Sequence, residues 1–205
     1  MDIQLNFINQ SNDANNSDVV IFQKNVAANY DELAVAWTVI QNCGVGDNHP
    51  FTYPLSSQIA YGDSWGNYTP RLDAAPGQQF SAVLEASGDA LRMSGPSSSP
   101  GAIELVNALP RGAINANIYK AGRLFATEVS VAPGQKAVFE FQPRIWIGVA
   151  SEVAPGQPMN AAIISAINTE LSLFGIASAD IVMTGGGHGP QATPFTFTLQ
   201  NVVMA

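Results

Sequence analysis

Apolar and polar residues alternate along most of this chain. In IQLNFI, Ile3, Leu5 and Phe7 fall on one face and Gln4 and Asn6 on the other, the two-residue period of a strand with one buried face. DVVIFQ around Ile21, LAVAWTVI at 33–40, QFSAVLEA from Gln79 and AINANIY from Ala113 read the same way, as do RLFATEVSV, AVFEFQ, RIWIGVA and FTFTLQNVV. Clusters of Gly, Pro, Asn and Ser, such as SGPSSSPG at 94–101, separate these runs and mark turns. NANIYKAGRLFATEV is the clearest hairpin, with Lys120 to Arg123 across its tip.

Helical signals are few. In PMNAAIISAINTELSLF, Ile163, Ile167 and Leu171 recur every four residues, as on one face of a helix. The β-branched isoleucines and the alternation of Leu171 with Leu173 tilt 158–174 towards strand instead, with helix left as the alternative. Asp31 is a good N-cap residue for one helical turn in NYDELAVAW.

The tetrapeptide Ala-Pro-Gly-Gln occurs three times, at Ala75–Gln78, Ala132–Gln135 and Ala154–Gln157. Proline presets φ for the second position of a type II turn, and glycine accepts the positive φ of the third. The motif therefore reads as scaffold, a corner where the chain enters a new strand, and turn chemistry accounts for every residue but the glutamine. The copies are too unequally spaced for a solenoid repeat.

A dozen or so short strands without βαβ alternation predict an all-β fold. The expectation is one domain over 1–205, an antiparallel two-sheet β-sandwich of jelly-roll or immunoglobulin-like type with little helix.

Composition narrows the function. Charged residues make up 12% of the chain, about half of the usual ~25%. The formal net charge is −8 with only eight Lys and Arg, so there is no basic stripe to neutralise phosphates and nucleic acid is not an expected partner. The single cysteine, Cys43, excludes an internal disulfide framework. MDIQLNFINQSNDANNSD lacks the basic and apolar regions of a secretory signal, and no window approaches 18 uninterrupted apolar residues. A cytoplasmic protein, or one released without a signal peptide, is expected, with no transmembrane segment.

Three stretches carry candidate chemistry. CGVGDNHPF places Cys43, Asp47 and His49 together, and His188 lies in GGGHGP; Cys43, His49 and His188 would form a metal site if the two loops met. TGGGHGP offers glycine amides for an anion, but it precedes a strand and lacks the lysine of a phosphate loop. FTYPLSSQIAYGDSWGNYTP gathers Tyr53, Tyr61, Trp65 and Tyr68 with Asp63 and Asn67. Flat aromatic faces beside oriented polar groups suit a sugar or another small ligand; the alternative is that these rings fold inwards and pin a long loop. The sixteen Asp and Glu form no paired-carboxylate spacing, and the serines lack a nucleophile-elbow context. No cofactor and no catalytic residues are assigned.

NFINQSN leading to VVIFQKN, then LAVAWTVI, the Pro-Gly strand starts and FQPRIWIGVAS followed by APGQ resemble the rhizosphere-induced (RhiA-like) protein family of bacteria. That resemblance implies a small, soluble bacterial protein with cell-density-dependent or host-associated expression, and supplies no catalytic residues.

The leading expectation is a non-enzymatic protein acting through its surfaces by associating with itself. IQLNFINQ and FTFTLQNVV carry no basic residue to defend an exposed sheet edge, unless these strands pair inside the sheets. The alternatives are a lectin-like module using residues 51–70 and a metal-dependent enzyme.

Overall fold

The computed structural model describes residues 2–27, 34–167 and 169–205. Among the described residues the chain is mostly β, 57% strand with one short helix, as the alternation predicts. In place of two sheets the described strands form four, each of four strands, divided between two compact units. Unit 1 comprises Met1–Gln23, Ala36–Leu55 and Pro143–Ala205; unit 2 comprises Lys24–Val35 and Ser56–Gln142.

Unit 1 takes its strands from both ends of the chain: β1 (Ile3–Asn9), β2 (Val19–Phe22), β3 (Thr38–Ile40), β4 (Asn48–Tyr53), β13 (Arg144–Val149), β14 (Thr169–Ser172), β15 (Ile176–Gly186) and β16 (Thr193–Met204). Their sheet orders are β16-β15-β1-β4 and β14-β13-β2-β3. The middle of the chain supplies unit 2: β5 (Ser57–Asp63), β6 (Leu72–Ala74), β7 (Gln78–Glu85), β8 (Gly88–Pro96), β9 (Ala102–Asn107), β10 (Ile114–Lys120), β11 (Arg123–Val131) and β12 (Lys136–Glu140). Its orders are β8-β7-β9-β12 and β6-β5-β10-β11.

These two pairs of sheets are the same topology. Replacing β1–β4 by β9–β12 and β13–β16 by β5–β8 turns each order of unit 1 into one of unit 2. The sense of pairing agrees as well, since β1∥β15 and β9∥β7 are parallel and the other pairs are antiparallel. The chain is thus two eight-stranded repeats, β1–β8 and β9–β16, that have exchanged halves, so that each unit takes four strands from each repeat.

Register confirms the equivalence residue by residue. Asn9 ends β1 opposite Met183, and Asn107 ends β9 opposite Ala82. The next amide donates back across the parallel pair in both, Gln10 to the Met183 carbonyl and Ala108 to that of Ala82. Phe197 and Leu91, which stand opposite Met183 and Ala82, are the one buried residue of β16 and of β8. The core is apolar in both units: Phe7, Ile21, Phe22 and Trp37 are fully or almost fully buried in unit 1, and Ile59, Phe80, Leu105 and Phe139 in unit 2.

The Ala-Pro-Gly-Gln segments are turns with glycine φ of +88°, +81° and +80°, and the structure accounts for the glutamine. In every copy the Gln amide donates to the Ala carbonyl while the Gln side-chain oxygen accepts from the Ala amide, at 2.9, 3.2 and 3.0 Å. Gly44–Asp47 is a fourth such turn with a carboxylate in the glutamine's role: the Gly44 amide donates to Asp47 Oδ2 at 3.0 Å, and Gly46 has φ +90°.

Several local expectations change. Ala161–Ala166 is helix (α1), not strand, because Asn160 caps it by accepting from the Ile163 amide; strand begins at Thr169. The turn proposed at Asp31 lies outside the described residues. β1 is interior to its sheet, between β15 and β4, whereas β16 is an edge. The hairpin at Lys120–Arg123 holds, with positive φ at Ala121 and Gly122, as a two-residue turn matched to strand twist requires.

Candidate functional site

A cleft of about 600 Å³ lies in unit 2. Three chain segments wall it: Asp63–Trp65 after β5, Leu84 and Asp89 on either side of the β7–β8 turn, and 109–114 between β9 and β10.

The first wall is built by Asp63. Its Oδ1 accepts from the amides of Trp65 and Asn67, both at 2.9 Å, and its Oδ2 from Asn67 Nδ2 at 2.8 Å. The Asn67 side chain and these amides hold the Asp63 carboxyl below the usual carboxylate range. Held at both ends of a five-residue loop, the carboxylate leaves Trp65 at the apex with 87% of its surface exposed.

The wall at 109–114 is pinned by Asn107, which is fully buried. Its Nδ2 donates to the carbonyls of Gly112 and Val131, both at 2.9 Å, and its Oδ1 accepts from the Leu109 amide at 3.1 Å. Arg111 therefore stands at the rim on a loop tied from within.

Of the six aromatic-segment residues singled out in the sequence, the cleft brings together Asp63 and Trp65, with Asn67 behind them. Tyr61 is buried, its hydroxyl donating to the Ala90 carbonyl at 3.4 Å. Burial, then the charges of Asp89 and Asp63, push its pKa up to about 12. Tyr68 is 68% exposed and packs on Gly62, where a Cβ would come within 2.8 Å of its ring. Tyr53 is elsewhere, in the core of unit 1, with its hydroxyl on Gln23 at 3.0 Å. Leu84, Asp89 and Arg111 were not legible as site residues, since each reads as an ordinary strand or turn position.

The three candidate metal ligands are not gathered: among the described residues no group of three or more His, Cys, Asp and Glu could hold a metal ion. His49 projects from β4 and His188 precedes a short 3-10 turn, Gly189–Gln191, both exposed. Burial, with the Asp47 charge, pushes the Cys43 thiol pKa up, away from the thiolate that binds metal or attacks an electrophile.

TGGGHGP belongs to packing. In unit 1 the counterpart of the 109–113 wall is the segment after Asn9, and the glycine loop lies on it: the Asn12 amide donates to the Gly185 carbonyl at 2.7 Å and the Gly187 amide to that of Asn12 at 3.1 Å. A Cβ at Gly185 would fall 2.1 Å from the Pro194 carbonyl oxygen, and one at Gly186 2.8 Å from the Phe195 ring. Unit 1 joins β15 to β16 through 187–192, where unit 2 joins β7 to β8 through Ala86 and Ser87 alone. With so short a turn, unit 2 has no such loop to lay over its 109–113 wall.

No family model matches the chain, and no curated protein or solved structure matches it either.

Proposed function

We propose that the protein is a binding module whose unit 2 takes a neutral, polyhydroxylated small ligand, a sugar or similar polyol, in the cleft beside Trp65. The observation that carries this reading is the outward indole of Trp65 on the rim of a cleft whose counterpart in unit 1 is overlaid by the glycine loop. A sugar ring offers a face of C–H groups to stack on an indole and a rim of hydroxyls to hydrogen-bond. Leu84, 60% exposed, extends the apolar floor, and Ser64, Asp89 and Arg111 supply donors and acceptors. Two carboxylates against one guanidinium at the cleft disfavour an anion. Titration with neutral mono- and disaccharides, followed by tryptophan emission, tests the reading. A response that disappears in Trp65→Ala supports it, and the same response in that variant removes it.

Self-association through the edge of β16 is a second reading. β16 is the longest edge strand, and TPFTFTLQNVVM contains no charged residue. The long edges of unit 2 differ: β8 carries Asp89 and Arg92, and β11 carries Arg123 and Glu128. An uncharged edge can add a strand from another molecule through backbone hydrogen bonds. Thr198→Lys should lower the association measured by size-exclusion chromatography; an unaltered elution profile that still shows oligomer would exclude this edge.

A further inference from the structure

We infer that the saccharide taken by unit 2 has at least two units, one against Trp65 in the cleft and the next on the outward ring of Tyr68, with Asn115 donating to its hydroxyls. This assignment rests on the cleft reading above and extends it from a single ring to a chain.

The loop that carries Trp65 straddles the end of the β5–β10 pair. Asp63 stands opposite Ile114, and Gly62 opposite Asn115. Successive residues of a strand point to opposite faces, so the first pair lines the cleft while the second faces outward. Beyond the turn the chain runs back along β5: the Asp63 amide donates to the Asn67 carbonyl and the Thr69 amide to that of Tyr61, both at 3.0 Å, and Tyr68 bridges Gly62. Residues paired in this way share a face, which puts Tyr68 on the outer one. Asp63 to Tyr68 thus leads from the cleft, over Trp65 at the apex, to a ring outside it.

Tyr68 is placed as a platform. Its ring rests on Gly62, where a Cβ would fall 2.8 Å from Cε1 and 3.1 Å from Cδ1, so one side is supported while the residue keeps 68% of its surface exposed. Large aromatic side chains are mostly buried on average. Two of them held outward on one tied loop, Trp65 and Tyr68, make an exposed apolar strip with polar groups at its rim, as a binding groove has.

The polar groups fall beside each ring. Ser64, Asp89 and Arg111 lie in the cleft with Trp65. Next to Gly62 and Tyr68, Asn115 accepts at Oδ1 from the Ser130 amide at 3.0 Å, while its Nδ2 has no protein partner among the described residues and is left to donate to a ligand hydroxyl. The strip stops at Tyr119, opposite Gln58 on the same outer face, because the Arg71 guanidinium covers that ring, 3.8 Å from its centre, and donates to the Gly122 carbonyl at 3.1 Å. A saccharide chain repeats a C–H face and a hydroxyl edge at each unit, which matches two open rings in series with polar groups beside both.

Tryptophan emission of the full chain is titrated with glucose, galactose and mannose, each beside a disaccharide of the same sugar. For the sugar that responds, the disaccharide is expected to bind roughly two- to tenfold more tightly than the monosaccharide, the worth of one added aromatic stack. Tyr68→Ala should bring the two affinities together. Gly62→Ala, whose added Cβ displaces the Tyr68 ring, should do the same and serves where Tyr68→Ala fails to fold. A disaccharide preference that is absent from the native chain, or retained in either folded variant, overturns the two-unit site and leaves the cleft reading standing. A native chain that answers none of these sugars overturns the cleft reading and the two-unit site together.

Discussion

Asn9 and Asn107 hold the same place in the two units of this protein. Each is buried at the end of a central strand, each donates through Nδ2 to the carbonyl just before a glycine turn, Cys43 or Val131, and each accepts at Oδ1 from the amide two residues on, Ser11 or Leu109. The turn glycine answers with its own amide, Gly46 to the Asn9 carbonyl and Gly134 to that of Asn107, both at 2.7 Å.

Removing either amide leaves buried backbone groups unpaired. Asn9→Ala and Asn107→Ala are each expected to cost about 1–3 kcal/mol in urea denaturation. Only Asn107→Ala should also weaken ligand binding, because Asn107 ties the wall that carries Arg111. Equal binding losses in the two variants would contradict that assignment.

Gly185→Ala tests whether the glycine loop is packing. The position has φ +91° and a Cβ there would strike the Pro194 carbonyl. A loss of at least about 1–3 kcal/mol from the backbone conformation alone is expected, read as a lower denaturation midpoint. A neutral substitution would show that the loop can leave unit 1.

Glu104 gives a pH prediction. Its side chain is fully buried, and Oε1 accepts from Lys136 Nζ at 2.7 Å and from Ser98 Oγ. Burial pushes the carboxyl pKa up, but the hydrogen bonds from Lys136 and Ser98 outweigh it and leave the pKa below the ordinary 4.5. A lowered folded pKa means that the contribution is present in full above the unfolded value and is lost as pH falls through the folded one. Glu104→Gln should therefore destabilise at pH 7 by about 1–3 kcal/mol, and its difference from the native chain should shrink below about pH 4.5. Denaturation midpoints at several pH values check this.

The strands were legible in the sequence where one face is buried, as in β1, β7 and β10, or half-buried in strict alternation, as at Phe195, Phe197 and Leu199 of β16, because alternation reports that geometry. Strands with mixed exposure escaped it: β4 begins with three exposed residues, and β8 buries only Leu91. The duplication was hidden for a related reason. Core positions need only be apolar, so Phe7 can stand where Leu105 does. The conspicuous repeat pointed elsewhere, since the three Ala-Pro-Gly-Gln turns occupy three different places in the topology, and the true counterpart of Ala132–Gln135 reads Gly44-Val45-Gly46-Asp47. Half of the cleft was legible because Asp63 and Trp65 are neighbours in sequence. Leu84, Asp89 and Arg111 join them only through the pairing of β5, β7 and β9 with their neighbours.

Trp65 decides the functional account. Trp37 is buried and Trp146 is half-buried, so an emission change that is lost in Trp65→Ala reports the cleft alone. With neutral saccharides at millimolar concentration, the native chain is expected to show a saturable change, and Trp65→Ala none, while its unfolding free energy changes by less than about 0.5 kcal/mol. A panel of saccharides that leaves the native emission flat would contradict the account.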